Sequence, residues 1–170
     1  MGKTAAPNIN HLLRAFPNLR IRADTKTSNA TVDYNCIAWA FGDAQRVWWP
    51  APIDGAAKVY WPGPREESTT VNFVRAFQRL GYEVCDNGRL EEGYDKIVIY
   101  EVMEGLPTHA ARQLPNGRWT SKLGKDVDIQ HTLADLNGGN YGDAKIFMKK
   151  RREAPEPPAQ LGSAANEEEP

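Results

Sequence analysis

Pro115-Asn116-Gly117 constrains this chain more than any other three residues. Proline presets the φ of a turn's first corner and glycine accepts the positive φ of its last, so the segment closes an antiparallel hairpin between 108–114 and 118–123. A three-residue loop also fixes the register. Leu114 pairs with Arg118, Gln113 faces Trp119, Ala111 faces Ser121 and His109 faces Leu123. Successive side chains alternate across a strand. Thr108, Ala110, Arg112, Leu114, Arg118, Thr120 and Lys122 therefore share a solvent-like face, and His109, Ala111, Gln113, Trp119, Ser121 and Leu123 share an inward one. Buried polar groups are costly unless hydrogen-bonded, so His109, Gln113 and Ser121 beside one tryptophan predict a satisfied polar network or a site.

The rest of the chain is read around that hairpin. A short helix is expected over 10–16. A mostly apolar helix is expected over 31–41, stopped by Gly42, with Ser28 or Asn29 as cap. A loop rich in proline and aromatics follows, carrying Trp48, Trp49, Tyr60 and Trp61. These rings form either an aromatic wall for a ligand or, the reading preferred here, a plug over the core edge. Val71, Phe73, Val74, Phe77 and Leu80, spaced along one face and closed by Gly81, predict an amphipathic helix over 69–80. Strands are predicted over 82–85, 96–102 and 144–150, and a short helix over 128–136. The fold class is α+β, with N-terminal helices packed on an antiparallel sheet. The domain is expected to span 29–150. It follows an N-terminal extension, 1–28, and precedes an acidic, proline-rich tail, 151–170, with little to bury.

Composition excludes several function classes. Among 170 residues, 21 Lys plus Arg nearly cancel 22 Asp plus Glu, so no bias toward phosphate backbones exists and neither nucleic acid nor a membrane surface is the expected partner. No apolar run reaches the ~18 residues of a membrane helix. The N-terminal residues lack the apolar centre of a secretory signal, so a cytoplasmic location is expected unless a dedicated system exports the protein. Cys36 and Cys85 offer neither a disulfide framework nor metal-ligand spacing, and no cofactor or metal is expected. Asn137-Gly138-Gly139-Asn140-Tyr141-Gly142 lacks the lysine and spacing of a phosphate loop. Lys122, Lys125 and Arg118 are read as a solvated positive cluster, and His11 and His131 as surface or capping residues on helices.

Cys36, early on its helix, would gain thiolate character from the helix dipole, and a histidine beside it would complete activation. A helix-borne cysteine, then a strand-borne histidine about 70 residues later, then a polar residue on the adjacent strand, is the order of a thiol hydrolase. Cys85, beside Asp86, is the poorer nucleophile.

Tyr34-Asn35-Cys36-Ile37-Ala38-Trp39-Ala40, Pro107-Thr108-His109-Ala110-Ala111-Arg112 and Gly117-Arg118-Trp119-Thr120-Ser121-Lys122-Leu123-Gly124 resemble an uncharacterised family of small bacterial domains. That family in turn resembles the papain-like superfamily near its NlpC and CHAP branches. The resemblance implies Cys36 as nucleophile and His109 as general base, with Ser121 as third member and Asp126 and Asp128 as acidic alternatives. Papain's upstream glutamine has no counterpart in 29–35, so Asn35 or backbone N–H groups would serve the oxyanion, with Gln113, Trp39 and Trp119 beside the substrate. The expected function is a cysteine hydrolase or acyltransferase acting on an amide or ester bond, with a peptide or amide substrate and an effector or toxin role compatible with it. The alternative is a noncatalytic module that binds a protein partner through the tryptophan loop.

Overall fold

The computed structural model describes residues 8–51 and 59–155. A 3-10 turn, Asn10–Arg14, precedes a three-residue strand β1, Lys26–Ser28. Helix α1, Cys36–Phe41, is short because Asn35 caps its start and Gly42, at φ 97°, ends it. The short strands β2, Val47–Trp48, and β3, Val59–Tyr60, pair in parallel. Helix α2, Thr70–Arg79, starts at a Thr69 cap. Strands β4 (Glu83–Cys85), β5 (Tyr94–Met103), β6 (Leu106–Gln113), β7 (Trp119–Lys122) and β8 (Asp128–His131) follow, then helix α3, Leu133–Leu136, and strand β9, Asp143–Arg151. Seven strands form one sheet in the order β1-β8-β7-β6-β5-β9-β4, every neighbouring pair antiparallel.

The α+β class holds, but the helices do not precede the sheet: β1 comes before α1, and α2 and α3 lie between strands. The segment expected as one helix over 128–136 is strand β8 followed by α3. Thr132 starts that helix through a reciprocal capping box with Asp135, leaving 128–131 free to pair with β7. The hairpin keeps its register, Gln113↔Trp119 and Arg112↔Thr120, with the Leu114 N–H donating to Arg118 O at 2.7 Å. The expected tail falls mainly on 156–170, outside the described residues.

The sheet is buried on both faces. Ile97, Ile99, Ala110 and Met148 pack under α1 and α2 with Ile37, Phe73 and Phe77. Val98, Tyr100, Ala111, Trp119 and Ile129 pack on the other side against Leu12, Phe16 and Leu136. The face read as solvent-like is therefore covered: Ala110, Thr120 and Lys122 are buried. Its polar members are accommodated rather than solvated. Arg112 lies over the Trp39 ring, Thr120 accepts the Trp39 indole N–H at 3.1 Å, and Lys122 Nζ donates to Asp126 O beside the Asp128 carboxylate. Lys122 is thus no part of a solvated cluster, and Arg118 is paired with Asp24 at 3.1 Å. The aromatic loop is a plug: Trp48 and Trp61 are buried, with Trp49 and Tyr60 packed against them and Phe73.

Candidate active site

Period-two alternation sends His109, Ser121 and His131 to one face of β6, β7 and β8, where a chain of hydrogen bonds joins them. His109 Nε2 lies 2.8 Å from Ser121 Oγ, and Ser121 Oγ lies 2.7 Å from His131 Nε2. His131 Nδ1 lies 2.8 Å from the Thr132 carbonyl oxygen. All three side chains are shut off from solvent. The His109 ring is fixed on two sides, stacked on Tyr141 at 4.0 Å and 3° and meeting the Tyr100 ring at 5.4 Å and 63°. Its Nδ1 has no hydrogen-bond partner, so no hydrogen bond joins His109 to Cys36.

Cys36 arrives from the opposite side. As first residue of α1 it belongs to the cluster under the helices, and only 9% of it is exposed. The backbone N–H of Ala110, the residue after His109, is one of three that pull its thiol pKa down. Leu114 donates toward β7, and alternation turns the Arg112 and Ala110 amides the same way. The β6–β7 ladder, however, runs only from Gln113↔Trp119 to Arg112↔Thr120. Ala110 lies beyond the last paired rung of that ladder. Cys36 lies in the core cluster on one face of the sheet, and the His109–Ser121 pair on the other.

Electrostatics make both groups neutral at pH 7. Burial pushes the Cys36 thiol up to about 11, against the opposing pull of the Ala110, Ile37 and Cys36 N–H groups. The helix start thus does not confer the thiolate character expected from sequence; desolvation outweighs it. Burial holds His109 well below its ordinary range, with His131 acting in the same direction, and brings His131 down to about 4.

The remaining predicted residues are committed elsewhere. The Asn35 side chain accepts from the N–H groups of Ala38 (3.2 Å) and Trp48 (3.1 Å) and donates to Trp48 O (2.7 Å), so it is a structural clamp rather than an oxyanion donor. Gln113 donates to Gly88 O at 2.7 Å. Trp39 stacks on Tyr34 under Arg112, and the buried Trp119 packs against Phe147. Of the acidic alternatives, Asp126 is paired with His11 at 2.6 Å and Asp128 receives the Tyr34 hydroxyl, so Ser121 alone of the three contacts His109. His131, expected as a surface or capping residue on a helix, is instead fully buried on strand β8. The signal was the Ile129/His131 alternation in register with Trp119 and Ser121, obscured by reading 128–136 as helix.

Removing the shared hydroxyl orphans a nitrogen on each histidine. Ser121→Ala is expected to lower stability by about 2–6 kcal/mol, at ~1–3 kcal/mol for each of the two unpaired buried groups. Urea denaturation checks this, and a loss within the ~0.5 kcal/mol typical of surface changes would refute the closed chain.

Residues 25–149 match the model of a family described as a domain of unknown function, DUF7689. The chain belongs to that family. The matched span begins just before β1 and ends inside β9, so it takes in the seven-stranded sheet but for the last two residues of β9, helices α1, α2 and α3, and both Cys36 and the histidine chain. No curated protein matches the chain, and no solved structure does. Among the described residues no helix is long and apolar enough to cross a membrane.

Proposed function

We propose that this DUF7689 domain is a cysteine hydrolase or acyltransferase of papain-like, NlpC-type arrangement, acting on an amide or ester carbonyl. What supports the reading is the bare Nδ1 of His109, one residue from Ala110, whose N–H acts on the Cys36 thiol. A general base needs an unprotonated nitrogen with its other nitrogen anchored, and His109 has both. A neutral thiol and a neutral imidazole react by proton transfer during attack. The S–H proton passes to His109 Nδ1 as sulfur bonds to the carbonyl carbon, and the same proton then leaves on the amine or alcohol. Water or another acceptor cleaves the resulting thioester. Sulfur and nitrogen must close on one another for this to occur; catalytic hydrogen bonds are commonly long before substrate binds. The docking alternative has less support, since Trp48 and Trp61 are turned into the core.

The test is acylation by p-nitrophenyl acetate, with the acetyl group located by mass spectrometry in a Cys85→Ser background. Cys36 is expected to carry the acetyl group, and His109→Ala to slow its formation about 10²-fold or more, the ordinary worth of a general base. Equal rates with and without His109 would sink the proposal.

A further inference from the structure

The direction of every hydrogen bond in the buried chain follows from its far end. The Thr132 carbonyl oxygen is an acceptor only, so His131 Nδ1, 2.8 Å away, carries a hydrogen and donates it. A neutral imidazole has a single ring N–H, so His131 Nε2 is an acceptor and takes the Ser121 hydroxyl proton across 2.7 Å. Having given its only proton to His131, Ser121 Oγ can do no more than accept from His109 Nε2, 2.8 Å away. His109 is then the Nε2–H form with a bare Nδ1. Nδ1 itself is buried and has no hydrogen-bond partner, so nothing there opposes this assignment. Without the lone pair of His131, the Ser121 proton could turn to His109 Nε2, and the hydrogen of His109 would move to Nδ1.

We propose that His131 is the positioning residue of the site: acting through the Ser121 hydroxyl, it holds His109 in the one tautomer that leaves Nδ1 free to accept a proton. This rests on the reading of His109 as the base. His131 itself reaches neither the thiol nor, behind Ser121, any substrate. The geometry that makes it effective is the sheet's own: β8 pairs with β7 so that Ile129 opposes Ser121, and His131 stands two residues along on the same face. Asp135 does not compete for its ring, because that carboxylate is bound by the N–H groups of Thr132 (2.8 Å) and Arg20 (3.2 Å).

Long-range ¹H–¹⁵N spectra of the histidine rings at pH 7, recorded on the full chain, read the tautomer directly. Wild type is expected to show His109 as Nε2–H. His131→Gln, whose amide oxygen can accept from Ser121, is expected to retain that form. His131→Leu removes the acceptor and is expected to raise the Nδ1–H population about fivefold or more, the worth of one hydrogen bond. Cys36 acetylation is expected to fall with the lost form and to return in His131→Gln. Should the leucine variant not fold, His131→Asn replaces it, since its shorter amide keeps Thr132 and cannot reach Ser121. An Nδ1–H signal from His109 in wild type overturns the inference. So does an unchanged tautomer in His131→Leu or His131→Asn, even where stability falls, because that is the outcome of a merely structural role. A tautomer that follows His131 while Cys36 of the wild type never acetylates overturns the hydrolase reading and supports the positioning of His109.

Discussion

Between pH 6.5 and about 4, the stability to urea is expected to fall by ~3 kcal/mol from His131 alone. An unfolded histidine takes up its proton near 6.5, whereas His131 in the folded chain resists protonation until about 4, chiefly because burial penalises its charge. The folded pKa is depressed, so the stabilisation is fully present above the unfolded value and is lost as pH falls toward the folded one. At ~1.4 kcal/mol per pH unit over that window, the loss reaches ~3 kcal/mol. His109, depressed further by its own burial and by His131, adds to it in the same sense. The carboxylates enter at lower pH. Asp135 is the instructive one: burial would raise it, but the Thr132 and Arg20 N–H groups hold it below its usual range, so its contribution disappears below the histidine window. Urea midpoints at pH 7, 6, 5 and 4 measure the slope. A midpoint that does not move between 6.5 and 4.5 would show that the two rings are not buried neutral, and the closed chain of hydrogen bonds would fail with them. His131→Gln, which has no titrating ring, is expected to remove about half of the slope or less and leave the remainder to His109.

Gly142→Ala is expected to destabilise the protein by about 4 kcal/mol, among the largest single-residue effects a chain of this size shows. Gly142 has φ 73°, where a Cβ is strained in itself. It also abuts β5: an added Cβ would collide with the Glu101 carbonyl oxygen and lie 2.7 Å from Val102 Cα, and backbone cannot swing aside as a side chain can. The consequence extends to the histidines. Tyr141, the preceding residue, stacks on His109 and accepts the Thr108 hydroxyl at its carbonyl (2.6 Å). Pushing residue 142 outward drags that ring from His109. A combined measurement separates the parts: the urea midpoint gives the collision, and the Cys36 acetylation rate of the folded fraction gives the displacement of Tyr141. A loss below ~1 kcal/mol would mean that β9 enters the sheet differently from the way described.

Local signals were legible where a few neighbouring residues decide the outcome. The Val71-to-Leu80 spacing and the stop at Gly81 specify α2 without reference to anything distant. Pro115-Asn116-Gly117 specifies the hairpin register, and the register specifies that His109, Gln113 and Ser121 point inward. What sequence could not show depends on non-local pairing. Residues 128–131 are too few for a period to emerge, and they become a strand because β7 and β1 border them on either side. The cover over Arg112 and Thr120 depends on α1 lying across them, supplying an indole face to one and an indole N–H to the other. A charge in a sequence reads as solvent; only the fold reveals a partner. For the same reason Cys36 was legible as a helix-borne cysteine, but its pKa was not, since helix position and desolvation act in opposite directions and desolvation is set by the tertiary fold.

The strand order carries a consequence for how the molecule behaves in a crowded solution. The longest strands, β5 and β9, are inside the sheet, and the outermost strands, β1 and β4, have three residues each. Unsatisfied backbone along a long sheet margin is what recruits a second chain into a fibril. Here each margin presents one short rung before the chain turns away. Where β9 runs on beyond its pairing with β4, Asp143 and Lys145 place exposed charge on it. A protein built around two long antiparallel strands thus keeps its longest runs of sheet backbone out of reach of its neighbours.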